Sequence, residues 1–284
     1  MSLTRTGRDT RPARRICAAV LSASALAAAN CGPRRTVAPR PAPILVEAWA
    51  ARLPLTHEPL SAVLLGLGGV GGRAKLGPAG AELIRDYLAA LAVDGPRTRP
   101  DRFPLETQAI AYYVNAHVAW SIALGDTRRL AGLDADALRS VGLPLDGRET
   151  TLATIADEVA RRAPWEPRLA LFLNPGWRGG PPLPQCAVES HSLDWQLALQ
   201  AERCGSAAGF WALDRAARRL SVSAFTASMW GLPGVQPART RRLLDLVPPP
   251  RDLREAILAA CGASLQRCSI GVAGFDTSRS FAAR

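Results

Sequence analysis

Lysine is almost missing from this chain. Lys75 is the single lysine among 35 basic residues, and there are only three histidines in 284 residues. The net charge of +11 is therefore carried almost wholly by arginine. Those arginines are scattered, as at Arg34, Arg35, Arg73, Arg161, Arg162, Arg218, Arg219, Arg241 and Arg242. A nucleic-acid surface needs a clustered basic stripe interleaved with aromatics. No nucleic-acid partner is expected, and the arginines read as solvated helix faces and loop ends. Three histidines without ligand spacing argue against a histidine-rich metal site. The cysteines form no close Cys-x-x-Cys pairs of the zinc type. No metal and no cofactor are expected.

What is present is ordinary globular material, 48% hydrophobic and 21% charged, in a chain long enough for a substantial core. The first thirty residues differ. Arg5, Arg8, Arg11, Arg14 and Arg15 precede a charge-free, small and apolar stretch over 16–29. That stretch falls short of the roughly 20 apolar residues that span a bilayer. A basic region, a short apolar core and small residues make a secretory signal. Residues 1–29 hold five arginines and Asp9, a net +4, so their removal takes +11 to +7.

Residues 30–44 are rich in proline and arginine and read as a tether. Cys31 stands where a bacterial lipoprotein takes its lipid, although Asn30 and Ala28 depart from that pattern. Cleavage after Ala29 and an uncleaved anchor are the alternatives. The expected location is exported, either periplasmic or membrane-tethered and facing the periplasm. Membrane contact is expected only through the N-terminus. Beyond Cys17 and Cys31 the chain has Cys186, Cys204, Cys261 and Cys268, and an oxidising compartment predicts at least one bridge among them.

The body, 45–284, reads as one α/β domain of α+β type, with several helices around a small mixed sheet. Helices are predicted over 45–53, 79–93, 105–124 and from Leu152 after Thr151, then over 193–203 with Ser192 as cap. Leu83, Tyr87, Leu88 and Leu91 make the apolar stripe of the second. A last helix is predicted from a capping-box-like pair, Asp252 and Glu255, to Gly262. Residues 168–174 read as a buried strand, 209–213 and 219–225 as a hairpin, and 269–275 as a final strand. Residues 96–104 and 176–184 read as loops.

The run from Ala111 to Trp120, AYYVNAHVAW, is the most informative segment. It has the pattern of a buried helix, yet His117 lies on its apolar stripe and Asn115 at the stripe's margin. Burying such groups unpaired costs about 1–3 kcal/mol, so the helix is either a structural polar core or one wall of a site. Gly66-Leu67-Gly68-Gly69-Val70-Gly71 spells the dinucleotide fingerprint. That chemistry needs a preceding strand and a following helix. Gly77-Pro78 is expected to break such a helix, so a flexible loop is the better reading and NAD-type binding a remote one.

The 111–120 run resembles the core helix of the domain-of-unknown-function family 547. That helix carries an aromatic pair, a branched apolar residue, asparagine, a small residue and then Tyr-Asn-Ala. Tyr112, Tyr113, Val114, Asn115, Ala116 and Ala119 fit, while His117 and Val118 depart. Further likenesses follow in order. They comprise Leu152, Ile155 and Arg161; then Arg168, Leu169, Asn174, Pro181, Pro182 and Leu183; then the helix from Leu193, the strand ending at Phe225, and Phe275-Asp276-Thr277-Ser278. The family's Glu-His pair falls on Ala156 and Asp157, its strand histidine on Ala170 and its loop cysteine on Gly180. Alanine and glycine neither transfer protons nor attack carbonyls, so the resemblance implies a site emptied of its chemistry.

A relocated thiol site would draw on Cys186 and His191 with Asn115 or His117, and Asp157 restores one acid near the emptied pair. The simpler reading makes Cys186 half of a disulfide, His191 part of a surface loop and His117 a satisfied core residue. His57, in a loop beside Glu58-Pro59, carries no signal. Trp177 and Arg178 are the expected recognition edge, with a Trp packed on the core as the alternative. The leading expectation is a non-catalytic or catalytically degenerate envelope protein that binds a partner or small ligand near Asn115 and Trp177. A thiol hydrolase or transferase is second.

Overall fold

The computed structural model describes residues 55–67, 76–126, 137, 139–177, 179–225 and 236–273, all within one unit, Leu53–Arg284. The expected signal, tether, Cys31 and helix over 45–53 lie outside the described residues, as do Arg178 and residues 274–284. The fold is a mixed α/β domain. Helices α1 (Glu58–Gly66), α2 (Pro78–Val93) and α3 (Glu106–Asp126) come first. A hairpin of β1 (Leu143–Leu145) and β2 (Arg148–Thr150) leads into α4 (Leu152–Arg162). After a 3-10 helix at Pro167–Phe172 come α5 (Leu193–Gly205), β3 (Trp211–Asp214) and β4 (Arg219–Ser223). The described chain closes with α6 (Pro237–Leu246), α7 (Arg251–Cys261) and β5 (Ser269–Ala273).

Helix α3 is the centre of the larger core. Every residue from Ala109 to Ala119 is buried, so the expected one-sided stripe is in fact a full circumference. Alanines at 109, 111, 116 and 119 let neighbours approach, and an apolar helix covered on all sides belongs in an interior. Helices α1, α2 and α4 pack around it through Leu60, Leu64, Leu88, Leu91, Leu152 and Ile155. A smaller cluster fills the space between the three-stranded sheet and α5, α6 and α7, with Leu220, Val222, Leu244 and Ile257 fully or almost fully buried. In that sheet β3 and β4 are antiparallel while β4 and β5 run parallel, a mixed sheet as expected.

Local chemistry explains most boundaries. Pro78 does not break a helix; it sits in the first turn of α2, where its missing N–H costs nothing. Thr151 caps α4, its Oγ1 accepting from the Thr154 N–H at 3.1 Å. On α2 the buried face is Ile84, Tyr87, Leu88 and Leu91, while Leu83 is exposed. Ser192 precedes α5 but its hydroxyl makes no cap bond, because residues Ser190–Ser192 already form a 3-10 turn. Pro250, not Asp252, is the cap residue of α7; Glu255 instead accepts from Arg251 at 2.8 Å. Gly262, at φ +77°, ends that helix.

Two differences are larger. The predicted strand at 168–174 is the 3-10 helix, opened by Pro167, with the Glu166 carboxylate accepting from the Arg168 N–H at 3.0 Å. A proline at its start and a side-chain cap favour a helical turn over an extended chain. The β1–β2 hairpin was not anticipated, although its two-residue Asp146-Gly147 loop, with φ of 52° and 69°, is the left-handed pair such a turn demands.

Candidate functional site

Asn115 is 1% exposed and spends its amide on one backbone unit. Its Nδ2 donates to the Val188 carbonyl at 2.8 Å, and the Val188 N–H donates to its Oδ1 at 2.7 Å. The side chain mimics a strand partner and pins the 186–189 segment against α3. Ser61 Oγ accepts from the Ala187 N–H, and Gln196 joins the Ala187 carbonyl to the Glu189 N–H. The polar groups of this segment are thus met by side chains rather than by a sheet.

His117 is 2% exposed, and its Nδ1 lies 3.4 Å from Ser121 Oγ, which donates to the His117 carbonyl. Burial first, and the Arg139 charge second, hold its pKa down at about 3. It is a neutral interior imidazole. His57 is no loop residue without signal: it is buried, and its Nδ1 lies 2.7 Å from the Tyr87 hydroxyl. Burial lowers its pKa to about 4 and raises that of Tyr87.

Trp177 is interior too, 5% exposed and set edge-on to Phe225 at 5.8 Å. The organiser of its loop is Asn174. Its Oδ1 accepts from the Gly176 and Trp177 N–H groups, and its Nδ2 donates to the Trp177 and Pro181 carbonyls. A Cβ on Gly180 would come within 2.5 Å of that amide, so the cysteine that the family resemblance puts at this position does not fit beside Asn174. Ala156 is buried on α4, and Asp157 and His191 are exposed.

Among the described residues the disulfide is Cys261–Cys268; Cys186 and Cys204 lie outside it, and the expected bridge at Cys186 is corrected. Cys186 Sγ lies 3.6 Å from Gln196 Nε2. Burial pushes the Cys204 thiol up to about 12. Among the described residues no cluster of metal-ligating side chains occurs, and no helix is long and apolar enough to cross a membrane. The element leading into the glycine run is α1, a helix, where the dinucleotide fingerprint requires a strand.

Sequence reasoning overlooked Asp146, whose buried carboxylate accepts from the Arg97 and Thr98 N–H groups, the Thr98 hydroxyl and the Tyr113 hydroxyl. Tyr112 donates to the Leu91 carbonyl at 2.6 Å. The aromatic pair of the 111–120 helix therefore ties α3 to α2 and to the hairpin. Sequence reasoning also overlooked an apolar cavity of about 390 Å³ between α2 and α3. Ala81, Leu88, Ala92, Trp120, Ala123 and Pro144 are among the residues that wall it.

No family model, curated protein or solved structure matches this chain.

Proposed function

We propose that this is an exported, non-catalytic binding domain whose ligand site is the apolar cavity between α2 and α3. The cavity carries the reading. Its volume lies within the roughly 300–1,000 Å³ of small-molecule sites, and its lining is almost wholly apolar. The polar residues first suspected of chemistry are committed elsewhere, with both ends of the Asn115 amide on Val188 and His117 held neutral in the interior. The binding site thus moves from the Asn115 and Trp177 side chains to the Trp120 stretch of the same helix. The Cys261–Cys268 bridge supports an oxidising, exported location for a chain with a signal-like start. Resemblance to the domain-of-unknown-function family 547 belongs to the same proposal.

The test is calorimetric titration with 1-decanol, a small neutral amphiphile, of the wild type and of Ala89→Phe. Ala89 lines the cavity at an exposed helical position, so the change plugs the space without loading the core. Saturable binding lost in Ala89→Phe supports the proposal; absent binding, or binding indifferent to the plug, overturns it.

A second reading, a thiol hydrolase or transferase, draws on Cys186 standing outside the bridge. A stoichiometric burst of nitrophenolate from p-nitrophenyl acetate, lost in Cys186→Ser, would establish it; a steady release without burst removes it.

A further inference from the structure

Among the described residues ten line the cavity, and Arg85 is the only charged one of them. It lies on α2 between Ala81 and Leu88, on the turn that faces the space, with its side chain 70% exposed. Several other arginines that border a described carboxylate are engaged at hydrogen-bond distance: Arg161 and Arg162 on Glu158, Arg168 on Glu166, Arg251 on Glu255, Arg254 on Asp245. Arg85 is not. Its ion contacts are Glu82 at 4.0 Å and Asp86 at 3.8 Å, both on highly exposed side chains, beyond the reach of a hydrogen bond. A guanidinium offers a planar fork suited to a carboxylate. That of Arg85 borders an apolar cavity and makes no hydrogen bond to a described carboxylate.

We propose that the cavity takes a small monocarboxylic acid with an unbranched apolar tail, the tail between α2 and α3 and the carboxylate on Arg85. This rests on the cavity being the binding site. Glu82 and Asp86 flank the same guanidinium from the outer side of α2 and oppose an incoming anion. The selectivity for acid over alcohol is accordingly modest, about fivefold, as for an exposed ion pair.

The experiment is titration at low ionic strength with decanoate and with 1-decanol, on the wild type, Arg85→Gln, Asp86→Asn and the plugged Ala89→Phe. Circular dichroism establishes that each variant is folded. The expected result is decanoate binding about fivefold more tightly than decanol, Arg85→Gln erasing that difference, and Asp86→Asn widening it about twofold. Decanol affinity stays level across the two charge variants. Equal affinity of the two ligands for the wild type, or an acid preference that survives Arg85→Gln, overturns the carboxylate assignment while leaving the cavity reading intact. Binding of neither ligand, or of both in Ala89→Phe, overturns the cavity reading itself.

Discussion

Asn115 and Val188 form a reciprocal pair, side-chain amide to backbone amide, at 2.8 and 2.7 Å in the interior of the domain. Few side chains can do this. Asparagine presents one donor and one acceptor in a plane, the same set that a strand neighbour offers. Replacing Asn115 by Ala leaves a buried N–H and a buried carbonyl unmet, at a cost of about 1–3 kcal/mol for each orphaned group. Urea unfolding of Asn115→Ala is expected to show a loss of about 2–6 kcal/mol on this basis. An unchanged midpoint would mean that Val188 finds other partners.

Acid should unfold the protein through its buried histidines. The folded-state pKa is about 4 for His57 and about 3 for His117, against 6.5 for an ordinary imidazole. The unfolded chain therefore binds protons that the folded chain refuses. Stability is full above pH 6.5 and declines as pH falls from 6.5 towards 4 and then 3. Each histidine contributes a slope of about 1.4 kcal/mol per pH unit inside its window. Unfolding free energy measured from pH 7 to 4 should decline with uptake of two protons near pH 5. His117→Gln should remove about half of that slope; a flat profile contradicts the buried neutral state.

The bridge joins the end of α7 to the start of β5 across Arg267. Trypsin cuts after Arg254, Arg267 and Arg279, so the non-reduced digest should contain peptide 255–267 linked to peptide 268–279, separating on reduction. Replacing both cysteines by Ser should cost about 2–3 kcal/mol, the loop-closure value for so short a ring. Two unlinked peptides from protein exported by its own host would remove the support for an oxidising compartment.

Trp177 offers a contrast between recognition and packing. Trp177→Ala is expected to lower stability by about 3–5 kcal/mol, the usual loss for a buried tryptophan, while leaving decanol affinity per folded molecule unchanged. Gly180→Ala should cost about 1–3 kcal/mol, because its Cβ collides with the Asn174 amide. A stable Trp177→Ala that no longer binds would return the site to this loop.

Periodicity made α2, α4 and α5 legible, since each carries apolar residues at spacings of three and four on a face that is buried. Alternation and the Asp214-Arg215 pair exposed the β3–β4 hairpin, in which Asp214 ends β3 and the turn is residues 215–218. The apolar run at 168–174 was ambiguous in principle: seven residues fit a strand or a helical turn equally, and the tie is broken by Pro167 and by the Glu166 cap. The Asp146-Gly147 turn carried a readable signal. Its wider role did not, because the carboxylate's partners lie about fifty residues upstream at Arg97 and Thr98. The cavity was invisible for a related reason. Ala81 and Ala92 look like ordinary helix formers until Ala123 and Pro144 are known to line the same cavity.

The most direct test follows the indole N–H resonances in a proton–nitrogen spectrum during titration with 1-decanol. Trp120 lines the cavity, whereas Trp165 and Trp195 are exposed elsewhere, at 72% and 48%. The Trp120 signal, assigned by its loss in Trp120→Phe, should move saturably while those of Trp165 and Trp195 stay fixed. A Trp120 signal that stays put while decanol binds, or movement confined to the exposed tryptophans, would contradict the cavity as the binding site.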